Sequence, residues 1–203
     1  MIIKNLSENN SILNNFIAEI RSVEIQKDSM RFRKNIERIG EVMAYEISKS
    51  LSYADEEEVK TPLGIAKTRL ISDKIVLGTV FRAGLPFHAG FLNYFDKAEN
   101  AFVSAYRKYK DKLNFDVCVE YIASPVLDEK TLILVDPMLA SGTSIELAYK
   151  ALLTKGNPKE IHVASVIASR QGVEYISTFL PSEKTTLWVG TIDPDLNERA
   201  YIV

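Results

Sequence analysis

One stretch of the chain combines an acidic residue with a run of small hydroxyl residues, in the order TLILVDPMLASGTSIELAYKALL. Asp136 directly follows the apolar run LILV, and Ser141-Gly142-Thr143-Ser144 precedes a segment with helical spacing. A helix that begins after such a loop presents unpaired backbone N–H groups at the positive end of its dipole. The segment therefore predicts a phosphate cradle, to which the hydroxyls add donors. A carboxylate beside it suits the hydroxyls of a sugar.

The loop around Gly142 excludes two known phosphate-binding motifs but does not by itself establish a phosphate site. Gly142 permits a positive φ and a close approach of the backbone to a ligand. No lysine follows Gly142, so the loop is not a nucleotide-hydrolysing P-loop, and the chain has no G-x-G-x-x-G dinucleotide fingerprint. Taken alone, the segment also fits a strand–turn–helix with a Ser/Thr cap, which occurs in any α/β protein.

The elements that position this loop begin after about residue 72. Apolar positions from Leu13 to Ile20 predict a first helix, and residues 29–51 predict a longer one that Asp28 or Ser29 caps. Residues 58–71 predict a hairpin with its turn at Pro62-Leu63-Gly64. Predicted strands are Ile75–Phe81, Ala101–Tyr106, Val117–Ile122, Thr131–Val135, Ile161–Ala168 and Thr186–Thr191, with helices at Phe87–Phe95, Ser144–Leu153 and Gln171–Phe179.

Buried strands that alternate with helices indicate an α/β fold with a parallel sheet covered on both faces. Such a sheet binds its ligand at the carboxyl ends of the strands, where Asp136 stands. The chain has 203 residues, which predicts a single domain, 1–203. We expect His162 to lie at the solvent end of its strand.

The composition excludes several classes of protein. Twenty-five basic and 27 acidic residues argue against a nucleic-acid partner. The single cysteine, Cys118, and two histidines exclude a disulfide framework and make a resident metal site unexpected. No signal peptide and no apolar run of 18 residues is present, so we expect a cytoplasmic protein without a membrane partner.

The cradle segment resembles a known family. DPMLASGTS, residues 136–144, is similar to the signature DPMLATGGS of uracil phosphoribosyltransferases, with Ser141 for threonine and Thr143 for glycine. The resemblance covers about residues 28–203. It also includes the segments FRKNIERIGEVMAYEIS (32–48), VFRAGLPF (80–87), SAYRKYK (104–110) and TIDPDLNERAYIV (191–203).

The resemblance implies a type I phosphoribosyltransferase fold, which is a parallel sheet flanked by helices, with a small hood and a β-hairpin arm. It also implies the transfer of a phosphoribosyl group from phosphoribosyl pyrophosphate (PRPP) to uracil, giving UMP and pyrophosphate in pyrimidine salvage. Arg82, Arg107 and Asp136 would be catalytic, the arginines by binding pyrophosphate. The residues that would bind PRPP are Arg82, Arg107, Asp136, Pro137, Met138, Leu139, Ala140, Ser141, Gly142, Thr143 and Ser144.

The family likeness further implies Mg²⁺ bound through PRPP, a homodimer or homotetramer and a possible GTP effector. Family members continue past the segment 191–203 with a glycine-rich tail of the form PGLGDAGD, whose backbone groups grip uracil. This chain ends at Val203. We therefore expect a truncated hood in which Ile202 alone of that set contacts uracil, and weak uracil turnover.

Two alternatives remain open at this point. Because DPMLASGTS would bind the sugar phosphate and not the base, a phosphoribosyltransferase for another base fits the same motif. A non-catalytic, nucleotide-sensing regulator that kept the PRPP pocket but lost turnover also fits.

Overall fold

An eight-stranded sheet forms the centre of the part of the chain that the structure describes. The computed structural model describes residues 1–109, 115–194, 196, 197 and 202, with the backbone alone for 105–109 and 115–119. The strands are β1 Ile2–Asn5, β2 Glu57–Thr61, β3 Gly64–Thr68, β4 Ile75–Phe81, β5 Glu99–Tyr109, β6 Phe115–Ala123, β7 Thr131–Val135, β8 Met138–Leu139, β9 Glu160–Ser169 and β10 Thr185–Asp193.

The sheet order is β1-β10-β9-β7-β4-β5-β6, and β8 extends the end of β9. Neighbouring strands are parallel except for β5 and β6, which are antiparallel. The predicted parallel sheet is thus confirmed for the strands around the cradle and corrected at one edge. Only five residues separate β5 from β6, too few for the crossover that a parallel pair needs.

In the described part of the chain, five α-helices cover the two faces of the sheet. One face packs against α1, α2 and α3, and the other against α4 and α5. On α2, Ile39, Met43 and Ile47 are fully buried, as their spacing predicts. The helices are α1 Leu13–Arg21, α2 Ser29–Ser48, α3 Gly84–Leu92, α4 Thr143–Leu152 and α5 Arg170–Ile176.

Helices α2 and α3 cross at two glycines that allow very close contact. A Cβ on Gly90 would lie 2.0 Å from the carbonyl oxygen of Glu37, and a Cβ on Gly40 would lie 2.5 Å from that of Phe87. Side chains at these positions would force the helices apart. The crossing therefore fixes α2 against the helix that follows Arg82.

The predicted hairpin occurs as β2 and β3, paired in antiparallel register from Glu57↔Thr68 to Thr61↔Gly64. Its tip residue Leu63 is fully exposed, and Ile65 is 67% exposed. Among the described helices, none is both long and apolar enough to cross a membrane.

His162 is buried, contrary to the expectation that it lies at the solvent end of its strand. The indole N–H of Trp188 on β10 donates to its Nδ1 at 3.1 Å. Burial lowers the pKa of His162 to about 4. The ring is therefore a neutral acceptor inside the sheet, and the missed signal was the tryptophan on the neighbouring strand.

Candidate functional site

Two of the residues predicted to do chemistry, Arg82 and Asp136, lie at one edge of the sheet. Strands β4, β7 and β9 are parallel, so Arg82, Asp136 and Ser169, which follow or end them, lie at the same edge. The chain proceeds from β4 to β5 on one side and from β7 to β9 on the other. The gap between β4 and β7 is therefore the topological switch point, where open α/β sheets bind their ligands.

The cradle loop, residues 136–142, lies against the end of β9. The carbonyl oxygen of Pro137 accepts from the backbone N–H groups of Val166 and Ile167 at 3.0 and 3.1 Å. Strand β8 then pairs with Ile167 and Ala168 in parallel register. These bonds hold the first half of the loop to the sheet before the chain turns into α4.

Two serines of β9 fasten the same loop through their side chains. Ser165 donates to the carbonyl oxygen of Asp136 at 2.6 Å, and Ser169 donates to that of Ala140, also at 2.6 Å. Both serines are buried. Sequence reasoning missed them, although polar residues four apart in the apolar run SVIAS are the available signal, because residues at even spacing share one face of a strand.

Helix α4 begins without a capping side chain. Its N-cap residue is Gly142, at φ 82°, and no side chain accepts from the first turn. The hydroxyls of Ser141 and Thr143 are 3.0 Å apart and hydrogen-bonded to each other. The first N–H groups of the helix thus have no side-chain acceptor, which is the arrangement predicted for a phosphate cradle.

Gly142 has the positive φ that the sequence predicts. The absence of its Cβ, however, leaves room for α5 and not for a ligand. A Cβ at this position would lie 2.9 Å from both Tyr175 and Ile176. From the other side, a Cβ on Gly172 would lie 2.3 Å from the carbonyl oxygen of Ala140. The two glycines therefore allow the cradle loop and α5 to touch.

Asp136 stands at the carboxyl end of β7 and is partly exposed. Burial of its carboxyl group raises the pKa of Asp136 to about 7, against the opposing effect of the Met138 N–H, 3.5 Å away. Near neutral pH the group exists in both protonation states, and each partner that favours the carboxylate will shift it toward ionisation.

Arg82 begins the turn between β4 and α3, directly after a cis peptide bond with Phe81. A Cβ on Gly84 would lie 2.1 Å from Oγ1 of Thr79, so the turn sits tightly on β4. Arg82 forms no ion pair with any described residue. Its predicted contact with pyrophosphate stays a prediction.

Two adjacent clefts open at this edge. A cleft of about 720 Å³, which we call the arginine cleft, is lined by Arg82, Pro137 and Met138 among others. A smaller one of about 400 Å³, which we call the terminal cleft, is lined by Met138 and Ile202. Met138 and Ile167 border both clefts. The structure thus places Arg82, two residues of the cradle loop (Pro137 and Met138) and Ile202 around one continuous depression.

Not every predicted site residue can be placed in this way. Arg107 lies on β5, next to β4, and its backbone pairs with Val117. Its side chain falls outside the described part of the structure, so its predicted contact with pyrophosphate stays a prediction. His88, which is not among the predicted site residues, is buried, with Nε2 2.6 Å from Asn100 Oδ1, and does not line the two clefts.

Comparison with known proteins gives one consistent result. The family model described as uracil phosphoribosyltransferase matches residues 7–203. A curated uracil phosphoribosyltransferase of Porphyromonas gingivalis is 61% identical over 203 residues, which cover 100% of this chain and 93% of that protein. One of Methanothermobacter thermautotrophicus is 35% identical over 178 residues, covering 87% of this chain and 80% of that protein.

Solved structures agree on the architecture. A protein of Aquifex aeolicus superimposes with a TM-score of 0.85 at 26% identity, covering 99% of this chain and 92% of that chain. A hypoxanthine phosphoribosyltransferase of Staphylococcus aureus superimposes with a TM-score of 0.54 at 12% identity, covering 92% and 83%. The second likeness supports the fold alone.

Proposed function

This chain belongs to the uracil phosphoribosyltransferase family, and we propose that the site at the β4–β7 switch point transfers the 5-phosphoribosyl group of PRPP to uracil. The products are UMP and pyrophosphate. One observation above all supports this: the uncapped start of α4 lies at the same sheet edge as Asp136 and Arg82. Together they offer donors for a phosphate, an acceptor for sugar hydroxyls and a cation for pyrophosphate.

The cradle would bind the ribose 5-phosphate. The N–H groups of the first turn of α4 point at the anion, and the hydroxyls of Ser141, Thr143 and Ser144 add donors. Asp136 would accept hydrogen bonds from the ribose hydroxyls. Accepting favours its ionised form, so binding lowers a pKa that burial has raised.

The bond between ribose C1 and the pyrophosphate oxygen breaks, and its electron pair leaves with the pyrophosphate. C1 bonds to N1 of uracil, whose proton passes to the pyrophosphate or to solvent. The transition state resembles an oxocarbenium ion, and negative charge grows on the leaving pyrophosphate. Arg82 and, by the family likeness, Arg107 would stabilise that charge. A planar guanidinium group suits the task because it makes two parallel charge-assisted bonds to phosphate oxygens.

A magnesium ion carried by PRPP fits the donor groups of this site. Among the described residues, no three His, Cys, Asp or Glu side chains are grouped so as to hold a metal ion. Mg²⁺ usually keeps several waters and binds substrate phosphates. When bound, it would neutralise part of the pyrophosphate charge, while Asp136 remains the carboxylate for the sugar.

The terminal cleft is the proposed position of uracil. It adjoins the cradle at Met138 and includes Ile202, which the family likeness assigns to the base. Uracil discrimination requires fixed donors and acceptors, because hydrophobic contact alone separates similar bases weakly. We propose that backbone groups near Ile202 supply part of that set.

The chain is proposed to act as one catalytic domain that pairs with a second copy. The exposed apolar residues of the hairpin, Val59, Leu63 and Ile65, support its role as the arm between subunits. Light scattering of the purified protein would give the oligomeric state, and a titration with GTP in the activity assay would test the effector.

A base panel tests the proposed activity. Purified protein is incubated with PRPP and MgCl₂ and with uracil, cytosine, hypoxanthine or orotate, and nucleotides are separated by chromatography. We expect UMP and an equal amount of pyrophosphate from uracil alone. Turnover of a different base would support the alternative phosphoribosyltransferase, and PRPP binding without turnover would support the regulator.

A further inference from the structure

A second arginine of the described structure lines the arginine cleft together with Arg82. We propose that Arg33, near the start of α2, is a further substrate-binding residue that contacts the pyrophosphate group of PRPP. The inference rests on the function proposed above. It assigns a role to the Phe32-Arg33 pair, which the sequence likeness singled out and the proposed mechanism does not otherwise use.

Three of the segments that line this cleft bring the two arginines beside the cradle loop. Phe32 and Arg33 come from α2, Arg82 comes from the turn after β4, and Pro137 and Met138 come from the cradle loop. The glycine crossing of α2 and α3 holds the first segment against the second. Arg33 is thus brought to the substrate side of the molecule by packing that does not depend on a ligand.

The charge pattern of the neighbouring residues separates Arg33 from them. It forms no ion pair or hydrogen bond with any described residue, and its side chain is exposed. The other cations between residues 20 and 39 all have partners: Arg21 with Asp193, Lys27 with Glu24, Arg31 with Glu19, Lys34 with Glu37, and Arg38 with Asn35.

The cleft offers two positive charges and no negative one. None of its described lining residues is acidic, and apart from Arg33 and Arg82 its one polar side chain is Gln26. The remaining wall is apolar, which weakens the screening of charge and provides no competing acceptor. Such a cleft favours an anion that can bridge two guanidinium groups.

Pyrophosphate is the anion that this position selects. The 5-phosphate of PRPP is assigned to the start of α4, and the other anionic group of the same substrate is the pyrophosphate at ribose C1. Arg82 is already assigned to the pyrophosphate group. Arg33 therefore adds a second cation where negative charge grows as the bond breaks.

The chain provides a matched pair of variants for the test. Arg33→Gln removes the unpaired charge, and Arg31→Gln removes a charge two residues away that is paired with Glu19. Calorimetric titration of the full chain with magnesium pyrophosphate and with PRPP measures each affinity. Circular dichroism verifies that both variants keep their fold.

We expect Arg33→Gln to weaken both affinities about 10-fold, which corresponds to ~1.4 kcal/mol. The KM for uracil should stay unchanged, Arg31→Gln should match the wild type, and Arg33→Lys should fall between the wild type and Arg33→Gln. Unchanged affinity in Arg33→Gln, or an equal loss in both glutamine variants, overturns the proposal. If the wild-type protein itself binds neither ligand, the proposed function fails as well.

Discussion

Two strand–helix units of the described sheet stand side by side and end differently. In β9–α5 the helix follows the strand directly, and Ser169 accepts from Gly172 N at 2.8 Å to cap it. In β7–α4 a loop intervenes, the helix has no side-chain cap, and Asp136 ends the strand with little internal bonding. In the β9–α5 unit a side chain of the unit itself accepts from the first turn of the helix. In the β7–α4 unit the first N–H groups of the helix and the Asp136 carboxyl group are left for a ligand.

Ser169 connects the two units. The hydroxyl that caps α5 also donates to the carbonyl oxygen of Ala140 in the cradle loop. A buried hydroxyl that both donates and accepts is fully used, and its loss leaves two backbone groups without partners. The β9–α5 unit, whose helix is capped by its own side chain, therefore supports the cradle loop of the β7–α4 unit.

The largest effect on activity is expected from removing the carboxylate of Asp136 in the β7–α4 unit. Asp136→Asn removes the carboxylate that would accept from the ribose hydroxyls, so kcat/KM should fall by about 100-fold or more. In the wild type, PRPP affinity should rise as the pH increases through about 7, because the carboxylate is the binding form. The asparagine variant reports how the phosphates of PRPP titrate on their own. An identical pH profile in both proteins would remove Asp136 from the sugar site.

The same substitution should also change stability. The folded protein keeps the Asp136 proton up to about pH 7, whereas the unfolded chain releases it near 3.8. Ionisation therefore destabilises the folded state as the pH rises between these values. At pH 8 we expect Asp136→Asn to be more stable than the wild type by about 1–2 kcal/mol, since solvent reaches the partly exposed residue. Urea unfolding at pH 8 and pH 5 measures the difference, which should shrink at the lower pH.

A second variant breaks the contact between the units. Gly172→Ala places a Cβ 2.3 Å from the carbonyl oxygen of Ala140 and 2.8 Å from that of Leu139, and both are backbone atoms that must move. We expect kcat/KM to fall about 30-fold, because displacements of this size misplace the cradle. Glu174→Ala, on the same helix, is the control. Wild-type kinetics in Gly172→Ala would mean that the cradle geometry does not depend on α5.

A third comparison separates the two serines of β9. Ser169→Ala loses both of its hydrogen bonds, and Ser165→Ala loses the one to the Asp136 carbonyl oxygen. We expect a KM for PRPP about 10-fold higher in the first and about 3-fold higher in the second. Ser169→Thr should restore most of the loss. Steady-state kinetics at saturating uracil measures these values, and equal effects from the two serines would contradict the bridging role of Ser169.

The smallest effect concerns the hydroxyl pair at the start of α4. Thr143→Ala removes the partner of Ser141, 3.0 Å away, and one part-buried hydrogen bond between neutral groups contributes ~0.5–1 kcal/mol. PRPP affinity should fall about 3-fold, as measured by calorimetry. A double-mutant cycle with Ser141→Ala then shows whether the two hydroxyls act through each other. Strict additivity would mean that they bind the phosphate independently.

The β7–α4 unit could be predicted from the sequence more completely than the hydrogen bonds from β9 that support it. β7 has the predicted bounds, and the bounds of α4 differ by one residue at each end, because an apolar run, small residues and a helical period are all local signals. The hydrogen bonds of Ser165 and Ser169 join residues 29 apart, a partnership that no local pattern specifies. The family likeness supplied Arg107, which in isolation is typical of a surface charge, whereas Arg82 follows a predicted strand and precedes Ala83-Gly84, which by itself suits an anion site.

Elements at the edge of the sheet were harder to predict for a related reason. β1, Ile2–Asn5, has four residues and half-exposed side chains, so its sequence carries no alternating pattern. It exists because it pairs with β10 from Ile2↔Thr186 to Asn5↔Val189. The antiparallel β6 likewise depends on its partner. Tertiary pairing decides both, and propensity does not.

The bond between Trp188 and His162 gives this protein an optical reporter of its own folding. Trp188 is the single tryptophan of the chain, is 5% exposed and does not line the arginine cleft or the terminal cleft. The fluorescence emission of Trp188 should therefore stay unchanged when PRPP binds and should change when the protein unfolds. Because His162 has its pKa lowered to about 4, the unfolded chain takes up that proton first, and the group withdraws stability as the pH falls from 6.5 toward 4. Emission followed through an acid titration thus registers the loss of the sheet, separately from any loss of substrate.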